Sequence, residues 1–258
     1  MTPSPIPETA GEVPLGEKSE NGGGEIAAAM TKVFERLQVI EEPDVDAAVA
    51  AVDRQERQFR TLRAAGLPPQ LIEDVALLRP QATDERSSRC WAVYEAARRV
   101  IHDLKGSRMV VLYGDNGVGK STIAGKLALE AVENREQPYY DTWLSVCQWF
   151  EAARTASERP DDDERFRTER ALTCHLVSVD LLILDELDKG MGTESKSRAL
   201  QNLLIKREQF QRPTILLTNA HQAALAVLLG DALIDRLYRG GSVLELKWQS
   251  FRAEPAKV

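Results

Sequence analysis

The residues Gly114-Asp115-Asn116-Gly117-Val118-Gly119-Lys120-Ser121-Thr122 carry the densest chemistry in this chain. They fit G-x-x-x-x-G-K-[ST]. In that spacing the glycines let backbone N–H groups turn inward as an anion nest, and the following helix adds its positive end. Lys120 is then placed to meet the β- and γ-phosphates of ATP, and the Ser121 hydroxyl to hold Mg²⁺. A second stretch, Asp180-Leu181-Leu182-Ile183-Leu184-Asp185-Glu186, ends an apolar run in two carboxylates. A buried parallel strand delivers such a pair at its C-terminal end, where ligands bind in open α/β sheets. Asp185 is expected to hold Mg²⁺ with Ser121, and Glu186 to orient and polarise an attacking water. That pair suits ATP hydrolysis, whereas a kinase has to exclude water. A third run, Pro213-Thr214-Ile215-Leu216-Leu217-Thr218-Asn219, ends in an amide that can hold the water or the γ-phosphate if the strands are neighbours.

These groups need an α/β frame to converge. Arg108–Tyr113 reads as a buried strand before the glycine loop, and Ser121–Glu133 as a helix after it, with Ile123, Leu127, Leu129 and Val132 apolar. Pro138–Trp143 reads as a further strand and Ser145–Ala156 as a helix. The acidic loop Glu158–Glu164 lacks a metal-binding loop pattern and reads as solvated. A helix to about Leu176 leads into the carboxylate strand. After the polar turn Lys189–Glu194 comes a helix over Ser195–Phe210. Its Lys196, Arg198, Lys206 and Arg207 read as exposed cations, facing a phosphate backbone or plain solvent. Short helices over 221–229 and 231–238 and a strand over Ser242–Lys247 close the pattern, with Trp248–Arg252 after it.

Upstream, residues 1–24 hold Pro3, Pro5, Pro7, Pro14 and Gly22-Gly23-Gly24 with few large apolar groups, a composition that predicts disorder. Residues 25–66 read as a helical partner-binding region. One stripe is Ile26, Met30, Val33, Phe34, Leu37 and Ile40, stopped by Pro43. Asp44 can cap a second, with Val45, Val49, Val52, Phe59 and Leu62. Residues 67–82 read as a linker opened by Leu67-Pro68-Pro69. Thr83 or Asp84 then caps a helix to about Leu104, and residues 83–258 form the ATPase domain.

Composition narrows the function classes. Hydrophobic content of 43% and charged content of 28% are ordinary for a globular protein. No apolar run approaches membrane-spanning length, and the N-terminus lacks a basic-then-apolar leader, so a cytoplasmic setting without a membrane partner is expected. Cys90, Cys147 and Cys174 lack C-x-x-C spacing, which argues against structural zinc or a disulfide framework. His102, His175 and His221 show no ligand spacing. Residues 1–79 carry 14 acidic and 8 basic side chains, against 26 and 25 in residues 80–258. The core is therefore near neutral and lacks a fold-wide basic footprint for nucleic acid.

Over residues 56–252 the chain resembles the DnaC/IstB group of AAA+ ATPases. The carriers are GDNGVGKST, LLILDELD, TILLTN, GDALIDRLYRGG and WQSFR, with Arg63-Ala64-Ala65-Gly66-Leu67-Pro68 upstream similar to the segment before the core in DnaC-type loaders. The resemblance implies a five-stranded parallel sheet flanked by helices, preceded by a small helical N-terminal region. It implies that Asn219 is sensor 1, Arg236 a finger reaching a neighbour's ATP, and Arg252 sensor 2. It also implies an ATP-dependent oligomer on single-stranded DNA. Two departures stand out: Asp188 occupies a position where such loaders often carry glycine, and residues 1–60 contain no cysteine. The expected function is a helicase loader that grips a replicative hexameric helicase through its N-terminal helices during initiation of DNA replication. The alternative is an IstB-like ATPase that serves a transposase on duplex DNA. A small-molecule kinase is disfavoured by the Asp185-Glu186 pair.

Overall fold

A computed structural model describes residues 45–78, 84–155, 168–189 and 193–252. The chain divides into residues 1–52 and 53–258, and only the start of one helix is described in the first unit. The expected tail (1–24), the first amphipathic helix, the acidic loop 158–164 and the end of the expected linker (79–82) lie outside the described residues. Among the described residues, no helix is long and apolar enough to cross a membrane.

The elements run α1 (Val45–Ala64), α2 (Pro69–Leu77), α3 (Glu85–His102), β1 (Met109–Gly114), α4 (Lys120–Glu133), β2 (Pro138–Thr142), α5 (Trp143–Thr155), α6 (Glu169–Ser178), β3 (Leu181–Asp185), α7 (Glu194–Gln209), β4 (Thr214–Thr218), α8 (Gln222–Leu229), α9 (Asp231–Gly240) and β5 (Ser242–Leu246). The strands form one five-stranded sheet in the order β2-β3-β4-β1-β5. Every pairing is parallel, with Val111 opposite Leu216 and Tyr140 opposite Ile183. All strand C-termini therefore emerge at one end of the sheet.

Successive strand residues point to opposite faces, so each apolar run feeds two cores. Val110, Leu112, Ile183, Ile215 and Leu217 pack with α2, α3, α4 and the end of α1. Met109, Val111, Tyr113, Leu182, Leu184 and Leu216 pack with α5 to α9. Both faces are covered, which is why the strands read as continuous apolar runs rather than alternating ones.

Four expectations meet a different arrangement. Residues 67–78, read as part of a linker, are packed structure: Leu67, Leu71, Ile72, Val75 and Leu78 are buried, and Pro69 starts α2 where its missing N–H costs nothing. Trp143, expected to end a strand, begins α5 and is fully buried. Thr142 ends the strand because its hydroxyl oxygen accepts from the Ser145 N–H at 3.1 Å, as a helix cap does. Arg207, expected on an exposed face, has no solvent exposure. On α1, Leu62 in the last turns is enclosed, while Val49 and Val52 are exposed. At the start of α3, Asp84 is the cap, accepting from the Ser87 N–H at 2.9 Å.

Candidate nucleotide site

The glycine loop joins β1 to α4 at the C-terminal end of the sheet, as its spacing predicts. Gly117 has φ of 77°, and a Cβ there would lie 2.1 Å from the Ser250 hydroxyl oxygen. A side chain is excluded on both conformational and steric grounds. The loop is braced from outside by the segment after β5. The Phe251 N–H donates to the Gly117 carbonyl at 2.8 Å, and the Trp248 indole N–H to the Val118 carbonyl at 3.0 Å.

Lys120 is buried. Its ammonium donates to the Gly114 carbonyl at 2.8 Å, the Asp115 carbonyl at 2.7 Å and Asn219 Oδ1 at 2.8 Å. Burial lowers its pKa, and the charges of Asp185, Asp188 and Asp115 work against that shift. β3 and β4 are neighbours, so Asp185 and Asn219 emerge at the same end of the sheet and line one cavity. The Ser121 hydroxyl donates to Asp185 Oδ2 at 2.8 Å. A hydroxyl and a carboxylate in contact are the hard oxygen donors Mg²⁺ takes, and Mg²⁺ usually completes its shell with water and substrate phosphates. Ser121 and Asp185 would hold the ion, which when bound offsets charge on the β- and γ-phosphates.

Glu186 stands at the end of β3 with φ of 53°, a left-handed conformation unusual outside glycine. Its N–H donates to Asp185 Oδ1 at 2.6 Å, and its carboxylate is ion-paired with Lys189. The group that would polarise water is thus held aside by a lysine on the next turn.

Three neighbours were not found by sequence reasoning as site residues. Asp188 accepts from the Thr218 hydroxyl and the Asn219 N–H, both at 3.0 Å, and meets Asn219 Nδ2 at 3.5 Å. Burial alone would raise its pKa, but these hydrogen bonds outweigh it and the net shift is downward. The amide of Asn219 is thereby ordered, with nitrogen toward Asp188 and oxygen toward Lys120. Tyr140, on β2, donates its hydroxyl to Asp185 Oδ2 at 2.6 Å. Burial and the Asp185 charge push its phenol well above its ordinary pKa, so it stays a donor. Cys90, on α3, lines the cavity, and burial pushes its thiol up to about 11, so it is not a thiolate there.

The cavity so formed has a volume of about 440 Å³, within the range of small-ligand sites. It brings together Asn116, Gly117, Gly119, Lys120, Ser121, Thr122, Asp185, Glu186, Asn219 and Arg252. Asp74 and Leu78 of the α2 region, with Ser87 and Phe251, supply the remaining wall. Gly114 and Asp115 touch the site through their carbonyls, and Val118 is buried beneath the loop. Arg236 is not among the lining residues. It lies on α9, ion-paired with Glu208 of α7, while its neighbour Asp235 pairs with Arg239.

The profile of a family described as IstB-like ATP binding protein matches residues 45–257. The replicative helicase loader DnaC of Escherichia coli (strain K12) is 36% identical over 165 residues, which cover 61% of this chain and 62% of that one. The uncharacterized protein YdaV of the same strain is 25% identical over 205 residues, covering 78% of each chain. Among solved structures, AMPPCP-bound DnaA from Aquifex aeolicus superposes with a TM-score of 0.52 at 20% identity, covering 67% of this chain and 52% of that one. A crystal structure of the DnaC helicase loader gives 0.51 at 16% identity, covering 65% and 93%. The two superpositions show that the fold is shared.

Proposed function

The chain belongs to the IstB-like ATP-binding protein family, and from that premise we propose that it is a DnaC-like helicase loader driven by Mg²⁺-dependent ATP hydrolysis. One observation carries the hydrolytic part: the P-loop, the Asp185-Glu186 pair and Asn219 meet in a single cavity. Lys120 leaves its carbonyl partners for the β- and γ-phosphates, Asp185 and Ser121 take the metal side, and Glu186 exchanges Lys189 for the attacking water. Asn219 steadies the water or the γ-phosphate, and Arg252 reaches the nucleotide from the cavity wall. Arg236 serves a neighbouring subunit, which accounts for its position away from its own cavity.

The loader reading is supported by the similarity to the replicative helicase loader DnaC. The N-terminal helices, including α1, take a replicative hexameric helicase, and an ATP-bound oligomer holds single-stranded DNA. A near-neutral core suits shallow sites that add up only when several subunits line up. The setting is cytoplasmic, without a membrane partner.

The test pairs chemistry with binding. Glu186→Gln is expected to bind ATP at the parent affinity and hydrolyse it about 10²-fold more slowly or worse, the scale on which a positioned proton acceptor contributes. Hydrolysis at the parent rate removes Glu186 from the mechanism. In the same protein, a non-hydrolysable ATP analogue is expected to tighten binding of labelled single-stranded DNA and to promote co-elution with a hexameric helicase. A preference for duplex DNA, without helicase co-elution, replaces the loader with the transposase helper.

A further inference from the structure

β2 is an edge strand, so one side of its backbone lacks a strand partner. The turn that ends α1 covers it. The Tyr140 N–H donates to the Ala65 carbonyl at 2.7 Å. Gly66, with φ of 94°, lies against the Tyr140 carbonyl so closely that a Cβ there would sit 2.2 Å from that oxygen. Tyr140 is buried with Leu62, Ala65 and Leu67 in the same core. Its hydroxyl donates to Asp185 Oδ2 at 2.6 Å. One residue therefore touches both the end of α1 and the carboxylate that would hold Mg²⁺.

We propose that Tyr140 is a positioning residue for the metal-binding carboxylate, and that it ties the carboxylate's position to the turn ending α1. Asp185 Oδ2 has two hydroxyl donors, Ser121 and Tyr140. When Ser121 turns its oxygen to a cation, Tyr140 is the hydroxyl donor left on that oxygen. Groups that orient a metal ligand typically contribute about 10–100-fold to metal affinity. A partner that pulls on α1 would then act on the metal site through Ala65, Gly66 and Tyr140. The inference rests on the proposed Mg²⁺ role of Asp185, and the experiment keeps the two apart.

The experiment measures the affinity of the full chain for a fluorescent non-hydrolysable ATP analogue with Mg²⁺ and with EDTA, and takes the ratio. Tyr140→Phe keeps the ring and removes only the hydroxyl. Its ratio is expected to fall about tenfold while affinity in EDTA stays unchanged. Asp185→Asn is the reference. If the parent shows a Mg²⁺ effect that Asp185→Asn retains, the metal reading of Asp185 fails. If Asp185→Asn loses the effect and Tyr140→Phe keeps it in full, the role of Tyr140 fails. The tie to α1 is read by amide hydrogen exchange of the peptide spanning residues 61–68. Adding Mg²⁺ to the analogue-bound parent is expected to slow exchange there, and that increment is expected to vanish in Tyr140→Phe. An increment absent from the parent, or equal in both proteins, overturns the tie.

Discussion

Two buried cations sit at opposite ends of the same strands. At the start of β3 and β4, Arg207 has no solvent exposure. It donates to the Leu176 and Pro213 carbonyls at 2.6 Å each, the Thr214 hydroxyl at 2.8 Å, and the Val179 and Val177 carbonyls at 3.0 and 3.3 Å. Burial draws its pKa down to about 9, which leaves it charged at neutral pH. At the other end Lys120 is also ringed by uncharged oxygens, but it lines the cavity. Among the described residues, neither cation is directly paired with a carboxylate. The rigid fork of Arg207 closes off the last carbonyls of α6 and the entry to β4, and it has nowhere to go. The flexible stem of Lys120 can exchange its oxygens for phosphate. Similar surroundings thus hold the chain together in one place and, on the proposed function, give way to phosphate in the other.

The sharpest way to break this contrast is Arg207→Met. It leaves several buried carbonyls without donors, and unfolding free energy in denaturant is expected to fall by about 4–5 kcal/mol. A loss below about 1 kcal/mol would mean that the carbonyls find other donors. A third cation, Arg236, sharpens the comparison because it is neither fully buried nor at its own site. Arg236→Ala is expected to leave ATP affinity intact and to slow hydrolysis in the DNA-bound assembly by about 10³-fold, the low end for fingers supplied from outside a site. Mixing it with Lys120→Ala is expected to recover part of the rate. A mixture that forms mixed oligomers yet stays inactive shows that Arg236 does not act between subunits. Lys120→Ala is the mirror of Arg207→Met. ATP affinity is expected to drop about 100-fold, while unfolding free energy stays within about 1 kcal/mol of the parent. An equal loss of stability would erase the contrast.

The smallest expected effect concerns Asp188. Its folded pKa is depressed below 3.8, so its contribution to stability is present above that value and is lost as pH falls through the folded value. After solvent screening the contribution is under about 1 kcal/mol. Asp188→Asn is therefore expected to destabilise slightly at pH 7, with the difference from the parent shrinking below pH 3.8. It also presents a donor to Asn219 Nδ2, so a fall in hydrolysis larger than the fall in stability separates ordering of the amide from simple packing.

Much of this was legible in the sequence because parallel strands covered on both faces are short apolar runs that end in their ligands. Strands β1, β3 and β4, and the side chains Lys120, Ser121, Asp185 and Asn219, follow from that pattern. Arg207 was misread because its charge outweighed its position. Leu200, Leu203, Leu204 and Arg207 fall on one helical stripe and all are buried, so the periodicity already put the arginine inside. Tyr140 and Asp188 were missed for another reason. Each acts on a residue from a different element, and no local pattern records that β2 lies beside β3, or that the turn after β3 meets the end of β4. Glu186 was read as the group that orients an attacking water; its ion pair with Lys189 and its left-handed backbone are not announced by residue type.

The strand order has a consequence for the newly made chain. β1 pairs with β4 and β5, so Met109 waits for Thr214 and Val110 for Ser242. At synthesis rates of about 5–20 residues per second, the P-loop strand emerges roughly 7–26 s before its second neighbour, β5. During that interval the loop has its sequence but no lateral support. The strand that carries the P-loop therefore completes its pairing only once β5 has been made, late in synthesis.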